Sequence, residues 1–120
     1  MFLLGIIGAI LLGAAIALVI ALTFKWWRNR INEKSKIRGA RKVVSSTLGG
    51  MIKASKNNLS LSELNELKDL ERQGHTHVLA ATDDEGNVVG DVDLIKDTGN
   101  DSQVQQLHSQ HGQDYIVVDC

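Results

Sequence analysis

The sequence predicts a single N-terminal transmembrane α-helix with a basic helical stem, followed by a small α+β domain of order α-β-β-α-β. Three observations carry this reading. Residues 1–24 contain no charged side chain. Residues 25–56 hold ten Lys or Arg and one acid, net +9, whereas residues 57–120 hold three basic and 13 acidic residues, net −10. Beyond residue 58, helix-capping patterns and turn residues alternate with apolar, β-branched stretches. The chain therefore divides into a span over 1–24, a basic juxtamembrane stem and linker over 25–58, and a small acidic α/β domain over 59–120.

The span is argued from length. At about 1.5 Å per residue a helix over 1–24 is about 36 Å long, against a hydrocarbon core about 30 Å thick. No Lys or Arg precedes the run, and no small-x-small site accompanies Thr23-Phe24, so it reads as a retained anchor rather than a cleaved signal. Lys25, Arg28, Arg30, Lys34, Lys36, Arg38, Arg41 and Lys42 follow it, opposed only by Glu33. The positive-inside bias then predicts a single-pass membrane protein with its N-terminus outside and its C-terminal domain cytoplasmic. Lys25, Trp26, Trp27, Arg28 and Arg30 take the membrane-interface positions, the tryptophans at headgroup level. Within the run, Gly5, Ala9, Gly13, Ala17 and Ala21 recur every four residues and form a stripe of small side chains. Such stripes let helices approach closely in lipid, so packing against copies of the chain or a partner transmembrane helix is expected.

The stem reads as a continuation of that helix from Lys25 to about Leu48, stopped by Gly49-Gly50, with 51–58 as linker. Its cations suit anionic lipid headgroups. Apart from Trp26 and Trp27 no aromatic residue interleaves with them, so nucleic acid is not an expected partner.

In the domain, Ser60-x-x-Glu63 is a capping box, flanked by Leu59 and Leu64 as a hydrophobic staple. Leu61, Leu64, Leu67 and Leu70 make an apolar ridge, and Gly74 closes the helix. Thr76 to Thr82 and Val88 to Ile95 read as a hairpin around Asp83-Asp84-Glu85-Gly86-Asn87. Asp97 to Asp101 is a loop, Ser102-x-x-Gln105 a second capping box, and Tyr115 to Val118 a final strand. With 62 residues and Tyr115 as its one aromatic, such a unit has a small core and should lean on a protein partner or a second copy. A lone Cys120 excludes an internal disulfide and suits a reducing compartment.

Candidate chemistry is sparse. His75-x-His77 and His108-x-x-His111 offer nitrogen ligands, the second pair one helical turn apart, but no family spacing completes a metal site. Asp97-Thr98-Gly99 spells the aspartic-protease triplet, with Lys96 where that family has an apolar strand residue. Gly90-Asp91-Val92-Asp93-Leu94-Ile95, followed by Ile116-Val117-Val118-Asp119, resembles restriction-endonuclease-like nucleases. That resemblance implies Asp93 and Asp119 as Mg²⁺ ligands, although the partner lysine would fall at position 121. Lys36 to Arg41 and His77 to Thr82 resemble the membrane-proximal part of DNA-translocating coupling ATPases, without the phosphate-binding GxxxxGK[ST] loop. No cofactor and no catalytic residue are assigned. The expected function is a non-enzymatic structural or accessory subunit of a membrane-associated assembly, such as the virion of a membrane-containing phage. The alternatives are a membrane-disrupting or pore-forming effector and a minimal metal-dependent hydrolase.

Overall fold

The computed structural model describes residues 2–99, 104, 106, 108 and 115–120. Its elements run α1 (Phe2–Leu11), β1 (Ala15–Ile20), α2 (Phe24–Ser35), β2 (Lys42–Thr47), α3 (Leu48–Ser55), a 3-10 turn (Lys56–Asn58), α4 (Leu61–Arg72), β3 (His77–Thr82), β4 (Val88–Asp97) and β5 (Tyr115–Asp119). The five strands form one mixed sheet in the order β1-β4-β3-β2-β5. β1 lies parallel to β4, and the other neighbours are antiparallel.

The apolar run over 1–24 does not form the expected transmembrane helix. Among the described residues no helix is long and apolar enough to cross a membrane. The transmembrane, single-pass reading, with the N-terminus outside and the C-terminal domain cytoplasmic, is therefore not supported. The physical reason lies within the run. Leu3, Ile6, Ile7 and Ile10 recur at helical spacing on one face, and that face is buried in the core. Gly13 then takes a φ of 80°, a left-handed conformation that ends a helix at little cost to glycine. Beyond it, Ile16, Val19 and Ile20 are β-branched and favour the extended β1.

The basic helical stem is corrected as well. Its first part is α2, capped by Thr23, whose Oγ1 accepts from Trp26 N at 3.1 Å. The helix stops at Ser35, and Lys42–Thr47 becomes β2, a strand paired on both sides and buried from Val43 to Ser46. Gly49-Gly50 lies inside α3 rather than stopping a helix. In place of an α-β-β-α-β unit appended to a span, the architecture is an α+β fold whose sheet takes two of its strands, β1 and β2, from residues before 59.

Helices cover both faces of the sheet. On one, Leu3, Ile6, Ile7 and Ile10 of α1, Leu48, Met51 and Ile52 of α3 and Leu67 of α4 pack on Val44, Val78, Ala80, Val92 and Leu94. On the other, Trp27 and Ile31 of α2 join Val104, Val43, Leu79, Ala81, Ile95 and Ile116. The Ser60–Glu63 capping box forms, with Ser60 Oγ accepting from Glu63 N at 3.1 Å and Glu63 Oε1 accepting from Ser60 N at 2.9 Å. The hairpin over 83–87 forms between β3 and β4. Ser102, Gln105 and the end of the second helix lie outside the described residues, but Val104, Gln106 and His108 are helical.

Candidate functional site

β1 is an edge strand, and its sequence, Ala-Ile-Ala-Leu-Val-Ile, carries no charge and no proline. It pairs with β4 from Ala15↔Val92 to Ile20↔Asp97. Among the described residues no strand pairs with its outer side. Sheet edges in natural proteins are normally blunted by a charge, a proline, a bulge or a covering element. Here Ile16 is 42% exposed, Val19 65%, and Leu12 in the preceding turn 87%. The far end of the strand is clamped: Thr98 N donates to Ile20 O at 2.8 Å, and Asp97 Oδ1 accepts from Leu22 N and Gly99 N, both at 2.9 Å. The Asp97-Thr98-Gly99 triplet thus secures β1, with its carboxylate bound to backbone amides.

Beside this edge, between β1 and α2, lies a groove of about 410 Å³ lined by Leu18, Ile20, Trp26, Asn29, Arg30 and Glu33. Its floor is apolar, and its charged wall is held in place from below. Arg30 donates to Asp93 through Nε at 2.7 Å and Nη2 at 3.0 Å, and to Glu33 through Nη1 at 3.0 Å. These bonds, the Asp93 pair foremost, raise the Arg30 pKa and keep it cationic. Lys34 is buried, donates to Asp91 O at 2.7 Å and lies 3.4 Å from Asp93 Oδ1. Burial pushes its pKa down, opposed by the Asp93 charge.

Asp93 is completely buried and shared between two cations, which suits an internal anchor for α2 rather than a metal ligand. Asp119 stands at the other side of the sheet, exposed and paired with Lys42 at 3.3 Å. β3 and β2 separate β4 from β5, so the two strands are about 14 Å apart at about 4.8 Å per strand spacing. The structure does not bring Asp93 and Asp119 together.

The tryptophans part company. Trp26 lines the groove, while Trp27 is buried and its Nε1 donates to Ser45 Oγ at 2.8 Å. Ser45 Oγ is in turn 2.8 Å from His108 Nε2, and His108 Nδ1 is 2.7 Å from Val104 O. A carbonyl only accepts, so neutral His108 carries its proton on Nδ1, and Nε2 accepts from the Ser45 hydroxyl. The Ser45–His108 separation is that of a nucleophile and its base. Ser45 is 2% exposed and His108 fully buried, so the chain of bonds ties Trp27 of α2, Ser45 of β2 and His108 together inside the core. The His77 ring lies 5.4 Å from the His108 ring, tilted by 50°. His111 lies outside the described residues. Among the described residues, no three His, Cys, Asp or Glu side chains gather as metal ligands.

A second cleft, about 510 Å³, lies where β2 enters α3 and is lined by Thr47, Gly49, Gly50, Lys53, Glu71, Gly74, His75 and Thr76. A Cβ on Gly49 would meet Glu71 Oε2 at 2.9 Å, so the glycine admits that carboxylate to the first turn of α3. There it opposes any incoming anion while complementing the helix dipole. His75 Nδ1 has no hydrogen-bond partner among the described residues, and burial, aided by Lys96, holds His75 below its usual pKa.

The small-residue stripe is dispersed. Gly5 and Ala9 lie on α1, Gly13 in the turn, Ala17 on β1, and Ala21 beyond β1 against Gly99. Lys25 and Arg28 are exposed on α2, Arg28 over the Phe24 ring at 6.0 Å. The Ser45–His108 pair joins residues 63 positions apart, whereas the groove and the open edge come from residues 15–33, where the β-branched content of 15–20 was the one signal. The chain matches no protein-family model, no curated protein and no solved structure.

Proposed function

We propose that this chain is a non-enzymatic assembly module that associates by strand addition at β1. The observation that carries the reading is an edge strand with no charge, no proline and two exposed branched side chains, Ile16 and Val19. An added strand gains main-chain hydrogen bonds worth about 0.5–1.5 kcal/mol each, net of water. The β1–α2 groove supplies a pocket with an apolar floor of Leu18 and Ile20 for alternate side chains, with Trp26 as its aromatic wall. Of the polar groups that could have served catalysis, Asp93 is buried against Arg30 and Lys34, and Ser45 and His108 are buried and bonded to each other, His108 also to the Val104 carbonyl.

The test uses a short, uncharged, alternating Val–Ala peptide with lysines at both ends, added to isotope-labelled full-length chain. Amide shifts should concentrate on 15–20 and on the groove residues Trp26 and Arg30, and Val19→Lys should remove them. Shifts absent, or centred on the β2–α3 cleft, would contradict strand addition at this edge.

A further inference from the structure

Strand addition fixes the manner of docking but leaves open which side chains the added strand carries. Resting on that reading, we propose that the β1–α2 groove is a tyrosine pocket, taking the phenol side chain of an extended segment of another protein paired with β1. Two periodicities build it. Trp26, Asn29, Arg30 and Glu33, at i, i+3, i+4 and i+7, make one ridge of α2. Leu18 and Ile20, two apart on β1, share the sheet face that α2 covers. Arg30 and Lys34 reach Asp93 and Asp91 of β4, the strand beside β1, so this ridge flanks the open edge. Residues opposed across a ladder share a face, so the added residue opposite Leu18 projects at the groove mouth. A long or aromatic side chain there leans across Leu18 towards Trp26.

The lining selects the side chain. Leu18, Ile20 and Trp26 are each half-buried, so one part of the groove offers apolar and aromatic surface that an added ring covers, stacked offset or edge-on against the indole. The rest of the lining is polar but carries no net charge. Two cations, Arg30 and Lys34, are matched by two carboxylates, Asp93 and Glu33, with Arg30 and Glu33 3.0 Å apart. An incoming carboxylate would meet Glu33 and an incoming ammonium would meet Arg30, so the wall favours a neutral tip. Asn29 is exposed there, and its amide both donates and accepts. A phenol hydroxyl also does both, whereas an indole only donates and phenylalanine or leucine does neither. The volume of about 410 Å³ lies within the range of small-ligand sites, about 300–1,000 Å³. A second folded copy does not supply the phenol, because the chain's one tyrosine, Tyr115, packs on the core of the opposite sheet face.

The experiment titrates the labelled full-length chain with the lysine-flanked Val–Ala peptide, its central valine kept or replaced by tyrosine, phenylalanine, lysine or glutamate. The tyrosine peptide should bind at least about tenfold tighter than the parent and about threefold tighter than the phenylalanine peptide, with the lysine and glutamate peptides no tighter than the parent. Its ring protons should give Overhauser contacts to the Trp26 indole. Trp26→Leu keeps apolar bulk and should cut the advantage of tyrosine over valine to below about threefold, and Asn29→Ala should erase that of tyrosine over phenylalanine. Equal binding of all the peptides at β1, or tightest binding of a charged one, would overturn the tyrosine pocket and leave strand addition standing. Binding by none of them would remove strand addition, and the pocket with it. A dimer that shuts the peptides out would make the occupant a second copy and overturn the proposal.

Discussion

Asp93 gives the sharpest test of how the fold is held together. Asp93→Asn keeps the shape but removes the charge that Arg30 and Lys34 share. Asp93 is completely buried and Lys34 is 2% exposed, so Lys34 would be left as a buried cation. Breaking a buried pair from one side costs about 3–5 kcal/mol, because the remaining charge is uncompensated. Unfolding entropy is about 2.1 cal/mol/K per residue, so for 120 residues each kcal/mol is worth about 4 °C and the expected loss is about 12–20 °C. Lys34→Met should behave differently. It leaves the two-point Arg30–Asp93 pair intact and removes the group whose burial opposes its charge, so the cost should stay within about 1 kcal/mol of wild type. Urea unfolding followed by circular dichroism gives both values, and repetition in about 1 M salt asks whether the pair is screened as a surface pair would be. A cost below about 1 kcal/mol for Asp93→Asn, the range of exposed pairs, would refute the buried-pair assignment, as would a Lys34→Met cost equal to that of Asp93→Asn.

Three further outcomes follow from the same packing. A Cβ at Gly5 would meet Gly86 O at 2.5 Å, whereas one at Gly8 meets nothing within 4 Å. Gly5→Ala should therefore destabilise by about 1–3 kcal/mol, and Gly8→Ala should stabilise by up to about 1 kcal/mol through helix propensity; equal effects in thermal melts would contradict the placement of α1. Ser45→Ala leaves Trp27 Nε1 and His108 Nε2 without their shared partner, at about 1–3 kcal/mol for each buried group, measured by urea unfolding; a loss under about 0.5 kcal/mol would dissolve that network. His75 is held below the usual histidine pKa of about 6.5, so the unfolded chain takes up its proton first as pH falls. Its contribution is complete above about pH 6.5 and lost as pH drops from there through the folded pKa, and His75→Gln should flatten that part of a stability–pH profile.

The regions legible in the sequence were those with local signals. The α4 cap is written in Ser60 and Glu63, its end in Gly74 with a φ of 102°, and the hairpin in the acids and glycine between Thr82 and Val88. β5 was visible as an apolar stretch. The N-terminal half was not legible because length outweighed pattern. An uncharged run long enough to span a bilayer satisfies the same criteria as a helix, a glycine turn and a strand that are each apolar for separate reasons. The signals against a span were the one-sided Leu3, Ile6, Ile7 and Ile10 and the β-branched residues after Gly13. β2 was hidden because a strand buried on both faces shows no alternation, and Lys-Val-Val-Ser-Ser-Thr sits among cations that read as a stem. The polar contacts could not be read at all, since Arg30–Asp93 and Ser45–His108 each join residues 63 positions apart.

Everything proposed for the open edge depends on residues 15–20 lying on β4. Nuclear Overhauser contacts on the labelled full-length chain should link backbone protons of β1 and β4 in the parallel register Ala17↔Leu94, with helical contacts among the first 20 residues confined to 2–11. Helical contacts running unbroken through Gly13 to residue 24, with none reaching β4, would contradict it.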